Sequence, residues 1–151
     1  MFTYLNALFY GGKKADSMSL WTFAGLTAGG AGFNAYFNAL VDASLVWRIQ
    51  NSLDIAPFMF DSLSSIKNIY ESQNPPLPID TAADLALDGL FLSAAASGTT
   101  YAQPQAGFVM AGDFQADLSW PDQALYQHHA STYQAMVPVA FPVAASDAKK
   151  R

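Results

Sequence analysis

Asp54 and the adjacent pair His128 and His129 are the residues whose types could support proton-transfer chemistry. Asp54 lies near the end of the stretch S-L-V-W-R-I-Q-N-S-L-D-I-A-P, residues 44–57. That stretch opens as a β-rich apolar run, Leu45-Val46-Trp47, alternates through Ile49, and ends in a polar cluster ahead of Pro57. A strand that stops at a carboxylate is a common way for an α/β sheet to present an acid at its ligand-binding edge. A histidine far downstream supplies the other half of an acid–base pair. In a serine–acid–histidine relay the imidazole takes the nucleophile's proton, and a buried carboxylate fixes its tautomer and stabilises the imidazolium. Taken alone the match is unspecific. An Asp after a strand is more often a turn former, and a helical histidine is more often a surface or capping residue. A helical wheel does not separate the two histidines: Tyr126, His129, Ala130, Tyr133 and Val137 share one face, while His128 falls among Ala124, Ser131 and Ala135. A metal site built from both is disfavoured, because adjacent residues diverge by about 100° on a helix and no further ligand spacing is present. Neither a metal nor a cofactor is expected.

The elements that must position these groups begin with a strand over 17–24, whose apolar residues are Leu20, Trp21 and Phe23. A turn follows, G-L-T-A-G-G at 25–30, and then a helix over 31–42. Phe33, Tyr36, Phe37, Leu40 and Val41 recur at helical spacing, a stripe suited to packing on a sheet. The strand leading to Asp54 comes next. Strand, helix and strand make a βαβ unit, with parallel strands and a right-handed crossover. The turn lacks the G-x-G-x-x-G spacing and the lysine of a P-loop, so its glycines are expected to supply positive φ rather than cradle a phosphate.

Residues 1–10 read as the back half of an amphipathic helix stopped by Gly11 and Gly12. Residues 61–71 read as a helix with Asp61 as N-cap and Leu63, Ile66 and Tyr70 along one side. A stiff proline linker spans 74–78. Thr81 with Asp84 resembles a capping box, opening a helix whose stripe is Leu87, Leu90, Phe91 and Ala94. A loop over 97–105 and a short strand over 107–111 follow. S-W-P-D at 119–122 signals the start of a helix over 123–137 that carries both histidines, and the tail after Pro138 is expected to fray. Two parallel strands are too few for a doubly wound sheet, which is covered on both faces. The fold class is α/β, a parallel sheet flanked by helices and incomplete.

At 151 residues the chain could form one domain, burying roughly 70% of its unfolded surface if complete. Charged residues make up 13% of it against 52% hydrophobic, well under the roughly 25% charge of an ordinary domain. Either an unusually large fraction is buried or some apolar surface meets a partner. The net charge is −5, and three of the seven basic residues sit together in Lys149-Lys150-Arg151. With no basic patch to neutralise phosphates, nucleic acid is not an expected partner. The absence of cysteine excludes disulfides and leaves the compartment undetermined. No secretory signal is visible at 1–10, and no run reaches the roughly 20 apolar residues of a membrane helix, so a soluble chain without a transmembrane segment is expected.

Three stretches resemble class 3 lipases, the fungal-lipase-like branch of the α/β-hydrolases: W-T-F-A-G-L-T-A-G-G at 21–30, R-I-Q-N-S-L-D-I-A-P at 48–57 and Q-A-L-Y-Q-H-H-A-S-T-Y at 123–133. The resemblance spans most of residues 18–135, with the motifs in the family's order. It implies a partial α/β-hydrolase fold and hydrolysis of a carboxylic ester, a lipid or other acyl ester. It also implies that Asp54 in N-S-L-D is the triad acid and that His128 in Y-Q-H, ahead of His129, is the triad base. The family pattern has proline where Leu26 stands and asparagine where Gly30 stands. Phe58, Met59 and Phe60 could line an acyl pocket or be ordinary buried residues.

The family's serine lies in a G-x-S-x-G turn upstream of the matched region, and no G-x-S-x-G occurs in this chain. The chain is therefore expected to be the C-terminal half of a lipase-like domain over 1–145, with a disordered basic tail over 146–151. It is expected to be inactive alone, since losing the serine costs roughly a millionfold in kcat. Its expected partners are the ester substrate and either the missing N-terminal half or a second copy at an exposed sheet edge. The competing expectation is a catalytically inactive fragment or a protein-interaction module with an apolar edge.

Overall fold

The computed structural model describes residues 19–104 and 107–140, without the side chains of 139 and 140. The helix expected over 1–10 and the tail over 146–151 lie outside the described residues. Strands β1 (Leu20–Phe23), β2 (Val46–Asn51) and β3 (Gly107–Met110) form one sheet in the order β1-β2-β3. Both pairings are parallel, with Trp21 opposite Trp47 and Ile49 opposite both Phe23 and Phe108. With helices flanking it, this is a partial α/β fold. Side chains alternate across a strand, so Trp21, Phe23, Trp47, Ile49, Asn51, Phe108 and Met110 share one face.

Helix α1 (Ala31–Leu40) connects β1 to β2 and ends short of the expected Asp42, because Asp42 caps the 3-10 turn Ala43–Leu45 by accepting from Ser44 N. Among the described residues, the expected packing of its stripe on the sheet is not found. No residue of α1 is buried, and Phe33, Tyr36 and Leu40 are exposed. The helix is tied down by polar contacts at its rim: Asn34 Nδ2 donates to Gln103 O at 3.0 Å, and Gly30 bridges Tyr101. The glycine-rich turn also differs from expectation. The left-handed residue there is Ala24, at φ 51°. Gly30 serves close approach instead, since a Cβ on it would lie 3.0 Å from Thr100 O.

After β2 the chain passes through Asp54 into the 3-10 turn Ala56–Phe58 and then helix α2 (Leu63–Lys67). The N-cap of α2 is Ser62, not Asp61, and it makes no side-chain cap bond. Helix α3 (Thr81–Ala96) is capped one residue before the expected Thr81: the Asp80 carboxylate accepts from Ala82 N and Ala83 N. Asp fills that position because its oxygen satisfies two donors of the open first turn. Of the α3 stripe, Leu87 is buried and Phe91 is exposed. Lys67 bridges Asp84 and Asp88, each at 2.6 Å, and so pins α2 to α3.

The main apolar cluster is not under the sheet but beside its carboxyl end. Leu53, Leu63, Ile66, Tyr70, Leu87, Trp120 and Ala124 pack together there, which anchors the segment carrying Asp54 at both of its ends. A smaller cluster of Ile49, Met110 and Tyr133 lies on the sheet face.

Candidate active site

Asp54 follows the end of β2 and is fully buried, at 0% exposure. A buried carboxylate is costly unless hydrogen-bonded, and this one is held on both oxygens. Ala56 N donates to Oδ1 at 2.9 Å, and the Tyr133 hydroxyl donates to Oδ2 at 2.8 Å. Leu53, next in sequence, is fixed in turn: Tyr70 Oη donates to its carbonyl at 2.9 Å and Asn51 Oδ1 accepts from its N–H at 3.0 Å. Burial, with the nearby Asp54 charge adding to it, pushes the Tyr70 and Tyr133 phenols well above their ordinary value. Both therefore stay protonated donors.

His128 comes from the other side of the site. Helix α4 (Trp120–His128) begins where the S-W-P-D signal places it, with Ser119 as N-cap accepting from Asp122 N. It does not continue to 137 as expected. It stops at His128, His129 adopts extended backbone, and helix α5 (Ala130–Ala140) restarts. Local side-chain bonding competes with the helix there. His129 Nδ1 pairs with Ser131 Oγ at 2.7 Å, and Thr132 Oγ1 donates to Tyr126 O at 2.6 Å. Pro138 lies inside α5, which runs to Ala140; the rest of the tail where fraying was expected lies outside the described residues.

The break settles which imidazole meets the acid. His128 Nδ1 lies 3.0 Å from Asp54 Oδ2 and 3.2 Å from Oδ1. His129 is exposed and bonds Ser131 instead. The His128 side chain remains 51% exposed while its partner has no exposure, so one end of the ring is anchored and the other is accessible. With Nδ1 engaged, Nε2 is the nitrogen that can face a hydroxyl.

Behind the pair lies a buried amide chain that periodicity gives no hint of. Asn51 Nδ2 donates to Gln127 O at 3.2 Å and to Gln127 Oε1 at 2.5 Å, and Gln127 Nε2 donates to Asp113 O at 2.7 Å. With the Gln123 amide turned to satisfy its neighbours, its oxygen accepts from Gln127 Nε2 at 2.9 Å. Asn51, Gln123 and Gln127 are all fully buried. The chain locks the end of β2 to the last turn of α4, the two elements that carry Asp54 and His128. Sequence reasoning missed Asn51, Gln127 and Tyr133. The available signal was the polar residues beside the candidates, Asn51 three before Asp54 and Gln127 directly before His128.

A cavity of about 790 Å³ opens beside His128, walled by Phe23, Leu26, Tyr133, Val137 and Pro138 among others. Phe58 to Phe60 are not part of it. Phe58 and Met59 pack against the main cluster, and the Phe60 ring lies 5.3 Å from that of Tyr101. Gln103 Nε2 holds the loop bearing Leu26 in place, donating to Thr27 Oγ1 at 3.0 Å and to Pro57 O at 2.9 Å. Among the described residues, no group of three or more ionisable or sulfur ligands is placed to hold a metal ion. Nor is any helix long and apolar enough to cross a membrane.

No family model matches the chain, and no curated protein does. Among solved structures it is similar to the one described as the crystal structure of M37 lipase, at 28% identity and a TM-score of 0.71. The match covers 87% of this chain and 39% of that one. The chain thus spans well under half the length of the lipase it matches. The likeness supports a lipase-like fold and a hydrolase-like ancestry.

Proposed function

We propose that this chain supplies the acid and the base of a serine ester hydrolase of the class 3 lipase type, acting on an acyl ester or lipid. His128 is the general base that takes the serine's proton through Nε2 and then returns it, as general acid, to the leaving alkoxide. Asp54 holds the imidazole by Nδ1 and stabilises the imidazolium. The observation that carries the reading is the 3.0 Å approach of His128 Nδ1 to a fully buried Asp54. The cavity beside His128 supports an apolar acyl group as its occupant, since such chains need apolar walls.

The attacking serine belongs to a G-x-S-x-G turn, and the oxyanion donors to that turn and an earlier loop; this sequence contains no G-x-S-x-G. On this reading residues 1–145 are the C-terminal half of a lipase-like domain and depend on an N-terminal half. The test is hydrolysis of a short-chain nitrophenyl ester. The chain alone is inactive, activity appears when a polypeptide carrying the serine is supplied, and His128→Ala removes it. Turnover by the chain alone that His128→Ala abolishes overturns the missing-serine reading.

A second reading is supported by the exposed end of the sheet face, beyond the part that Tyr133 covers. Trp21 and Trp47 stack at 5.2 Å between ring centroids and stay 49% and 38% exposed. Parallel sheets are ordinarily covered on both faces. A catalytically inactive chain that binds a protein through this face would have the same surface, and the ester assay separates the two.

A further inference from the structure

We propose that Tyr133 is the positioning residue of the Asp54–His128 pair, fixing the carboxylate so that its Oδ2 lone pair stays aimed at the imidazole. The inference rests on the triad reading of those two residues. The Tyr133 hydroxyl has two partners with opposite roles: it accepts from Asn51 N at 2.9 Å and donates to Asp54 Oδ2 at 2.8 Å. Asn51 N belongs to β2, so the donor that sets the hydroxyl rotor is itself fixed in the sheet. The single phenolic proton is then committed to the carboxylate.

The other carboxylate oxygen is held by Ala56 N at 2.9 Å. With a donor on each oxygen besides the imidazole, rotation about the Cβ–Cγ bond of Asp54 breaks at least one bond in a buried site. Remove the phenol and Oδ2 is left with His128 alone. A hydroxyl does this better than a cation, because it orients the carboxylate without cancelling the charge that the imidazolium requires. Ordinary packing does not account for the arrangement. Tyr70 is buried too, yet its hydroxyl donates to the Leu53 carbonyl. The Tyr133 ring also forms part of the cavity wall, so the residue that orients the acid borders the space an acyl group would fill.

The test reads the hydrogen-bonded Nδ1 proton of His128 by NMR on the full chain with labelled imidazoles. In Tyr133→Phe this proton shifts and exchanges with water about tenfold faster or more, the scale of losing one hydrogen bond to a charged group. In Tyr126→Phe, whose hydroxyl pairs with Gln115 Nε2 at 3.4 Å on the same helix as His128, the proton stays where it is. A Tyr133→Phe spectrum that leaves the proton unmoved overturns the proposal, as does an equal response in both variants. Should Tyr133→Phe fail to fold, 3-fluorotyrosine placed at 133 keeps the ring and strengthens the donor. The Nδ1 proton then moves if Tyr133 positions Asp54, and its constancy refutes the role. No ester turnover enters the readout. A chain that fails the hydrolysis test but passes this one loses its catalytic reading and keeps the positioning role.

Discussion

His128 Nδ1 sits 3.0 Å from Asp54 Oδ2 across a sequence separation of 74 residues, with one partner half in solvent and the other wholly buried. That asymmetry suits a base that must be oriented from one side and reached from the other. Asp54→Asn keeps the shape of the acid and removes its charge. In a preparation supplied with the serine, it lowers kcat by about 10⁴-fold, the cost of misorienting the imidazole and losing the countercharge. Stopped assays of the two proteins at saturating ester check this. A loss under about tenfold refutes the role of Asp54.

Gly112 borders the end of β2 with no room to spare. A Cβ there would lie 2.7 Å from Leu53 Cγ and 2.9 Å from Leu53 Cβ, and would also collide with Asn51 Oδ1. Both neighbours are buried, and Leu53 precedes the acid. Gly112→Ala is expected to cost about 1–3 kcal/mol by overpacking and to weaken the Leu53 N–H bond to Asn51. Thermal melts give the stability loss, and unchanged melting argues against this packing.

The raised phenols set an alkaline limit. Tyr70 and Tyr133 are pushed up from an unfolded value near 10.0 chiefly by burial. Each therefore retains its proton in the native state at a pH where the unfolded chain releases it. The stabilisation is complete below about pH 10 and is lost as pH rises toward the folded values, at up to about 1.4 kcal/mol per pH unit for each tyrosine. Melts between pH 9 and 11 should show this fall, and Tyr70→Phe should make it shallower even though its stability at neutral pH is lower. The same slope in the variant would remove Tyr70 from the account.

The stacked tryptophans give a solution prediction. An exposed aromatic pair on a parallel sheet favours association with a partner or a second copy. Replacing both Trp21 and Trp47 by Ser should shift the isolated chain toward smaller species in size exclusion at fixed concentration. An elution position identical to that of the parent means the face does not mediate self-association.

Much of the scaffold was legible because it is local. The alternation through Trp47 and Ile49 marks β2, and Ser119-Trp120-Pro121-Asp122 marks the start of α4. Asp54 and His128 were legible as candidates through their motifs. Their meeting was not, because it depends on where α4 stops. The composition after His129 favours helix, and the interruption comes from His129, Ser131 and Thr132 bonding to nearby groups. The supporting shell was less legible still. Asn51 reaches Gln127 and Tyr133 over separations of 76 and 82 residues, and such polar pairings leave no period in the sequence. The α1 stripe misled for the opposite reason: its spacing is helical, but amphipathicity alone does not say what, if anything, covers the apolar side.

The interruption at His129 also makes the peptide between His128 and Tyr133 a molecular ruler. It begins at the imidazole and ends at the phenol, and both of those groups converge on a single carboxylate. One residue inserted into that span would rotate α5 by about 100° relative to α4 and carry the phenol off its target. Length there is accordingly far less forgiving than side-chain identity at an exposed position such as Ala135.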